Sequence, residues 1–334
     1  AASIQRVNDI VVLKMVKDLS KNFKSNNLCM AGGVALNCVT NGKLLESNYF
    51  KNIWIQPAAG DAGGALGAAL GLWHNEYNKK RTNINKDIMS GAFLGPNYSD
   101  EEIESVLIEL GANYTKCSEY ELINKVAHSI DNEKAIGWFQ GRMEFGPRSL
   151  GSRSIIADPR SDQMQKNLNL KVKYRESFRP FAPSILADDY KDWFNLKNSS
   201  PYMLFVAQLN KKLKLKLKAE EKKLFGIDKL NVKRSNIPAV THVDYSARVQ
   251  TVHKNTNKLF YRLISRFKEI SGCPCIINTS FNVRGEPIVC TIEDAFNCFM
   301  GTNLDILVIE NFILYKEEQD KSLLKNYQNK FELD

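Results

Sequence analysis

Leu28-Cys29-Met30-Ala31-Gly32-Gly33-Val34-Ala35-Leu36-Asn37 decides the fold class. The first four residues are an apolar run of strand length, Gly32-Gly33 turns the chain, and a helix follows from about Ala35 to Leu45. A second strand, Ile53-Trp54-Ile55, leads through Asp61-Ala62-Gly63-Gly64-Ala65 into a small-residue helix ending near Leu70. Strand, glycine turn and helix in succession predict α/β architecture. Upstream, residues 3–24 read as a helix with Ile4, Val7, Val11, Met15 and Leu19 near one face.

Downstream the pattern becomes mixed α+β. Gly95-Pro96-Asn97 marks a connection, and Ser99 or Asp100 is the expected N-cap of a helix running to about Leu110. A helix at about 119–131 precedes the strand Ala135–Phe139. Cys275-Ile276-Ile277 and Ile306–Ile309 are further strands, and residues 316–334 read as a charged tail. The organisation expected is a first domain over 1–92, a linker over 93–120, a second domain over 121–315 and the tail.

No apolar run is long enough to cross a bilayer, and no basic segment followed by an apolar one marks a signal peptide. The chain is therefore expected to be cytoplasmic. Seven scattered cysteines fit buried thiols in a reducing compartment, and Cys273-Pro274-Cys275 lacks the spacing of a zinc pair. The net charge is +9, which suits nucleic acid or phosphate ligands equally. Much of the excess lies in residues 211–234. They read as a solvated insertion, with the alternation Leu213, Leu215, Leu217 suggesting a half-buried strand. With Phe225 the only aromatic among those cations, nucleic acid is not the expected partner, and a basic RNA-binding module is the alternative.

Four clusters carry chemistry. Gly32-Gly33 with Asn37 lets backbone approach a phosphate at a helix N-terminus, or is tight packing alone. Asp61, between a strand and a helix, is a metal ligand or a helix cap. Gly141-Arg142-Met143-Glu144-Phe145-Gly146-Pro147-Arg148-Ser149-Leu150-Gly151-Ser152-Arg153-Ser154-Ile155 packs three arginines and three glycines into fifteen residues, and cations continue through Lys173, Arg175 and Arg179. Arginine forks grip phosphate oxygens, so this stretch reads as a phosphate clamp. The alternative is a network in which these arginines pair with Glu144, Asp158 and Glu176. Fourth, Asn278-Thr279-Ser280-Phe281-Asn282-Val283-Arg284-Gly285-Glu286-Pro287 is a polar tip on a buried strand, with Arg248 preceding it. His242 by itself reads as a hydrogen-bonded structural histidine.

Over roughly residues 1–315 the chain resembles the O-carbamoyltransferases of antibiotic and nodulation-factor biosynthesis. The resemblance rests on Ala31–Asn37, Gly60–Gly63, Gly141–Ile155 and Asn278–Pro287, with Lys173-Tyr174-Arg175 as a K-x-R element and Ser280-Phe281-Asn282 as an S-x-N element. It implies part of an actin-like (ASKHA) lobe followed by a YrdC-like domain, similar to threonylcarbamoyl-adenylate synthase. It implies ATP and Mg²⁺, with Fe²⁺ in the actin-like domain of the complete protein. Carbamoyl phosphate and a small hydroxyl-bearing acceptor would be the other substrates, and a homodimer the assembly. Lys173, Arg175, Arg148 and Arg153 would be catalytic phosphate clamps. Ser280, Asn282, Arg179, Arg248, Arg284, Gly32, Gly33 and Asn37 would bind nucleotide or carbamoyl, and Asp61 would hold the metal. The family's first lobe, with its metal-binding histidines, has no counterpart here, which implies a truncated chain able to form the adenylate but not to transfer it. A tRNA-modifying synthase is the alternative enzyme, disfavoured by the Gly141–Arg148 stretch.

Overall fold

A computed structural model describes residues 2–81, 87–327 and 330–331. Along the chain run α1 (Ala2–Asn22), β1 (Asn27–Met30), α2 (Cys38–Ser47), β2 (Asn52–Ile55), α3 (Ala62–Gly71), α4 (Asp100–Glu109), β3 (Thr115–Lys116), α5 (Glu119–Asp131), β4 (Ile136–Phe139) and β5 (Arg153–Ala157). Then follow α6 (Met164–Asn167), β6 (Ala182–Leu186), α7 (Tyr190–Trp193), β7 (Phe194–Asn195), β8 (Phe205–Leu209), α8 (Gly226–Leu230), β9 (Ser246–Val252), α9 (Lys258–Ser271), β10 (Cys275–Ser280), α10 (Ile292–Gly301), β11 (Ile306–Ile309) and β12 (Phe312–Tyr315).

Two sheets result. β1 and β2 form a parallel pair, and the other ten strands form one mixed sheet in the order β3-β12-β11-β4-β5-β10-β6-β9-β8-β7. Central strands β4, β5 and β6 are buried along their whole length, with Arg153, Ser154 and Ser184 buried among their apolar residues. Helix α9 covers the sheet with Phe260, Leu263, Ile264 and Phe267, a helical-period stripe. It starts where Asn257 caps the Phe260 N–H and stops at the left-handed Gly272. Helices α4, α5 and α10 each open with a capping box, built on Ser99, Ser118 and Thr291.

Several expectations are corrected. The helix expected from Ala35 is two pieces, a 3₁₀ turn over Gly33–Leu36 and then α2, restarted by Asn37 as its N-cap. Residues 93–120 supply α4, the helix expected there, and the edge strand β3 of the large sheet, which no sequence signal marked. The stripe Ile4, Val7, Val11, Met15, Leu19 is exposed, because α1 packs through Asp9 and Val16 instead. In residues 211–234 no regular strand forms: a 3₁₀ turn covers Lys211–Leu213, and only Lys214 bridges to Ser235. Of those alternating leucines Leu213 is buried, while Leu215 is 37 % exposed. The start of the tail is held down, with 3₁₀ turns at Lys316–Glu318 and Lys321–Leu323 and Tyr327 buried against Gly301. Residues 328, 329 and 332–334 of the tail, and 82–86 of the first expected domain, lie outside the described residues. The seven cysteines are free thiols, and Cys117, Cys273, Cys275 and Cys298 are buried.

The first eighty residues pack on the large sheet through α2, which crosses β8. Asn41 Nδ2 donates to the Ala35 and Leu204 carbonyls at 2.8 and 3.0 Å. A Cβ at Gly42 would lie 2.5 Å from the Val206 carbonyl oxygen, so only glycine allows this approach. Gly146, at φ 140°, is likewise pressed against the Pro57 carbonyl. Gly42→Ala should therefore lower stability by about 1–3 kcal/mol, overriding the usual helical preference for alanine. Urea denaturation checks this, and an unchanged midpoint would show that α2 is not seated on β8.

Candidate functional site

Sheet topology brings the distant motifs together. β10 runs antiparallel to both β5 and β6, so its C-terminal Ser280 pairs with Ser154 while Asn278 pairs with Ala182. β9 runs parallel to β6, with Ser184 opposite Gln250. The loop before β5, the segment before β6, the end of β10 and Arg248 at the start of β9 therefore meet at one edge of the sheet. α2 closes that edge with Cys38 and Val39.

A cleft of two compartments lies there. One, of about 380 Å³, is lined by Lys173, Arg175, Arg179, Ser280, Asn282, Arg284 and Glu286. The other, of about 390 Å³, shares Arg175, Arg179 and Ser280 and adds Arg148, Arg248 and His242. Six cations thus face two small connected spaces.

Each cation is held from behind. Lys173 is buried, and its Nζ donates to the Ser280 and Asn282 carbonyls at 2.5 and 2.8 Å, with Asn282 Oδ1 at 2.7 Å and Ser280 Oγ at 3.2 Å. Burial, with the neighbouring Arg175 charge, pushes Lys173 down to about 7. The Arg175 Nε donates to Asn169 Oδ1 at 2.7 Å and its guanidinium lies over the Phe181 ring. Among the described residues its two terminal nitrogens have no partner. Burial, then Arg179 and Arg248, lower Arg175 to about 10. Arg148 donates to the Leu36 carbonyl at 3.3 Å, and its buried Nε has no partner among the described residues. Arg248 is lowered by burial and by Arg148, with the Cys38 thiol opposing. Glu176 sits between Arg179 and Arg284, at 3.1 and 3.2 Å. Glu286 is spent on the Val283 N–H at 2.8 Å.

Arg153 stands apart. It is fully buried at the start of β5, stacked 3.4 Å from the Phe139 ring centroid, and its guanidinium donates to the Gln140, Gly141 and Pro96 carbonyls. It braces the loop rather than facing the cleft. Glu144, the loop's buried carboxylate, takes the Leu150 and Ser152 N–H groups at 2.6 and 2.8 Å. Carboxylate pairing accounts for Arg160, which bridges Asp158 and Asp131 at 2.6 Å each, and partly for Arg179 and Arg284. Gly32, Gly33, Asn37 and Asp61 also lie outside the cleft. Asn37 is occupied in capping α2, accepting the Thr40 N–H and bonding Gln5. Asp61 precedes α3 without capping it by a side-chain bond. Among the described residues no group of three His, Cys, Asp or Glu side chains could hold a metal.

Sequence reasoning missed the cleft roles of Cys38, Val39, Phe181 and His242. The spacing His242-x-Asp244-x-Ser246 just before Arg248 was the available signal for the last of these.

The family profile described as Carbamoyltransferase C-terminus matches residues 127–316, and that described as Carbamoyltransferase N-terminus matches residues 1–70. An uncharacterized protein of Synechocystis is 55 % identical over the whole chain, which covers 55 % of that relative. Nodulation protein NolO of Bradyrhizobium diazoefficiens is 37 % identical over 95 % of the chain and 54 % of its own length. Nodulation protein U of Rhizobium fredii is 33 % identical over 78 % of the chain and 39 % of its own length. The chain spans about half the length of the first of these relatives.

An anion placed in this cleft would bind with a pH dependence of definite sign, set by Lys173. A bound anion favours charged Lys173, so above pH ~7 binding must take up a proton, and below it need not. Sulfate keeps a constant charge across pH 6–9. Its affinity should be flat below pH ~7 and fall by up to about tenfold per pH unit above it. Calorimetry in buffers of different ionisation enthalpy counts the protons. Lys173→Met should abolish the uptake, and uptake unchanged in that variant would remove Lys173 from the anion site.

Proposed function

The chain belongs to the carbamoyltransferase family, and from that premise we propose that its cationic cleft binds ATP and carbamoyl phosphate and makes carbamoyl-adenylate. The supporting observation is the convergence of Lys173, Arg148, Arg175, Arg179, Arg248 and Arg284 on two joined compartments whose lining carboxylate, Glu286, is already engaged. Such a site suits a ligand with several phosphate groups.

In this scheme water cleaves carbamoyl phosphate to carbamate and phosphate. A carbamate oxygen then attacks the α-phosphorus of ATP, and pyrophosphate leaves. An acceptor hydroxyl finally attacks the carbamoyl carbon, AMP departs, and the hydroxyl proton is lost. Every product carries anionic oxygens, and pre-placed guanidinium groups meet that charge without reorganising. Arg175 and Arg148 are the direct clamps. Lys173 folds the Ser280–Asn282 tip around itself and adds a charge when an anion arrives. Ser280 and Asn282, bonded to each other and to Lys173, shape the edge of the cleft that holds nucleotide or carbamoyl.

We read the β4–β12 region as the YrdC-like domain and residues 1–92 as the C-terminal part of an actin-like domain that passes carbamoyl to a sugar or natural-product hydroxyl. Mg²⁺ would enter with ATP. Asp61 has no converging partners among the described residues, so no step is routed through a metal ion. No described helix is long and apolar enough to cross a membrane.

ATP–pyrophosphate exchange tests the scheme. Exchange should require carbamoyl phosphate and fall about 10²–10³-fold in Arg175→Ala, with the thermal transition retained. Arg175→Lys should recover little, because a single ammonium does not replace the planar fork. Exchange without carbamoyl phosphate, or full activity in both variants, would reject it.

A further inference from the structure

In the compartment that holds His242 the charged groups are hydrogen-bond donors, the lining carboxylate Glu286 lying in the other compartment. Arg148, Arg175, Arg179 and Arg248 can only donate. The hydroxyl of Ser280 is turned to Asn282 Oδ1 at 2.7 Å. Asn278 points its amide nitrogen at Gln250, and its oxygen is sealed in the wall. His242 differs from all of them.

His242 sits in the tight turn that enters β9, its N–H donating to the Ser246 carbonyl at 2.8 Å. Its Nδ1 lies 2.9 Å from Ser246 Oγ, and that hydroxyl lies 2.6 Å from Asp244 Oδ1. A carboxylate only accepts, so the single hydroxyl hydrogen of Ser246 goes to Asp244. Ser246 Oγ must then accept from the imidazole, which places the ring proton on Nδ1. Nε2 is left with a bare lone pair and no partner among the described residues. Burial pushes the imidazole below its ordinary range, with Arg248 acting in the same sense and Asp244 against it, so the ring is neutral at neutral pH. Burial pushes Asp244 up, but the hydrogen bonds from Ser246 and the nearby His242 more than offset it, and its carboxyl stays below the usual range.

A neutral, tautomer-locked acceptor among arginines has little to offer phosphate or carbonyl oxygens. It suits a ligand that carries an N–H beside its anionic group. We propose that His242 is a specificity residue whose Nε2 accepts a hydrogen bond from the carbamoyl amino group, so that the cleft prefers a carbamoyl to an acetyl group on the same phosphate. This rests on the carbamoyl phosphate reading of the cleft. Asp244 and Ser246 are positioning residues, since they hold the tautomer and touch no ligand.

Phosphonoacetamide and acetonylphosphonate differ only in an amino group against a methyl, and neither is labile. Calorimetry on the full chain should show a preference for the amide of about ten- to a hundredfold, the scale of leaving one buried acceptor unpaired. His242→Leu should erase that preference. His242→Gln, which can present an amide oxygen near the same place, should restore part of it. A preference that survives His242→Leu, or none in the unaltered chain, overturns the proposal while sulfate binding still reports an intact clamp. Sulfate binding with neither phosphonate bound would instead reject the carbamoyl phosphate reading, and the proposal with it.

Discussion

Like charges repel, and this molecule holds six of them around two connected spaces. Burial makes the arrangement more costly, because water no longer screens the cations. Much of the surrounding structure answers that constraint. Arg175 is tied to Asn169 and backed by Phe181, Arg148 is tied to a carbonyl of the 3₁₀ turn before α2, and Glu176 stands between two arginines. Lys173 is caged by oxygens and relieves the strain differently, by being half-neutral near neutral pH. A polyanion would remove the repulsion at a stroke, so the fold stores in its cleft the drive to bind one.

The loop between β4 and β5 shows why arginines that look alike in sequence diverge in space. Arg148 and Arg153 belong to one glycine-punctuated run. Arg153 begins a fully buried strand and must spend its donors on carbonyls and its flat face on Phe139. Arg148 stays in the loop and reaches the cleft. Glu144 acts as a template for this loop, its carboxylate collecting N–H groups that the turn leaves unpaired. Burial raises it, against those same N–H groups.

Local signals were legible in the sequence. The strand–glycine–helix pattern, the cap at Ser99 and the cationic run through Lys173, Arg175 and Arg179 all correspond to what forms. What failed depended on the third dimension. The stripe on α1 has helical spacing, yet the buried Asp9, bonded by Thr40 and paired with the exposed Lys43, turns the opposite face inward. The lysine–leucine alternation at 213–217 has strand spacing, but only one residue finds a partner to bridge. Gly32 and Asn37 sit in a turn that resembles an anion site, but the Gly32 N–H is spent on the Ala59 carbonyl and the Asn37 side chain on capping α2. His242 shows its chemistry only once Ser246 and Asp244 are placed beside it.

Helix α2 is both the continuation of the Gly32-Gly33 turn and a wall of the cleft, and Gly42 pins it to β8 with no room for a methyl group. It cannot swing as a lid does. The two ends of the α2 region therefore evolve under different rules. Residues 36–42 answer to the sheet and to the cleft together, and drift there is costly. In α3 beyond, no residue is buried, and Gly63, held against the Ala58 carbonyl, and Leu66, packed on the core, tie it to the rest of the described residues. Change at the exposed positions of α3 leaves the cationic wall of the cleft untouched.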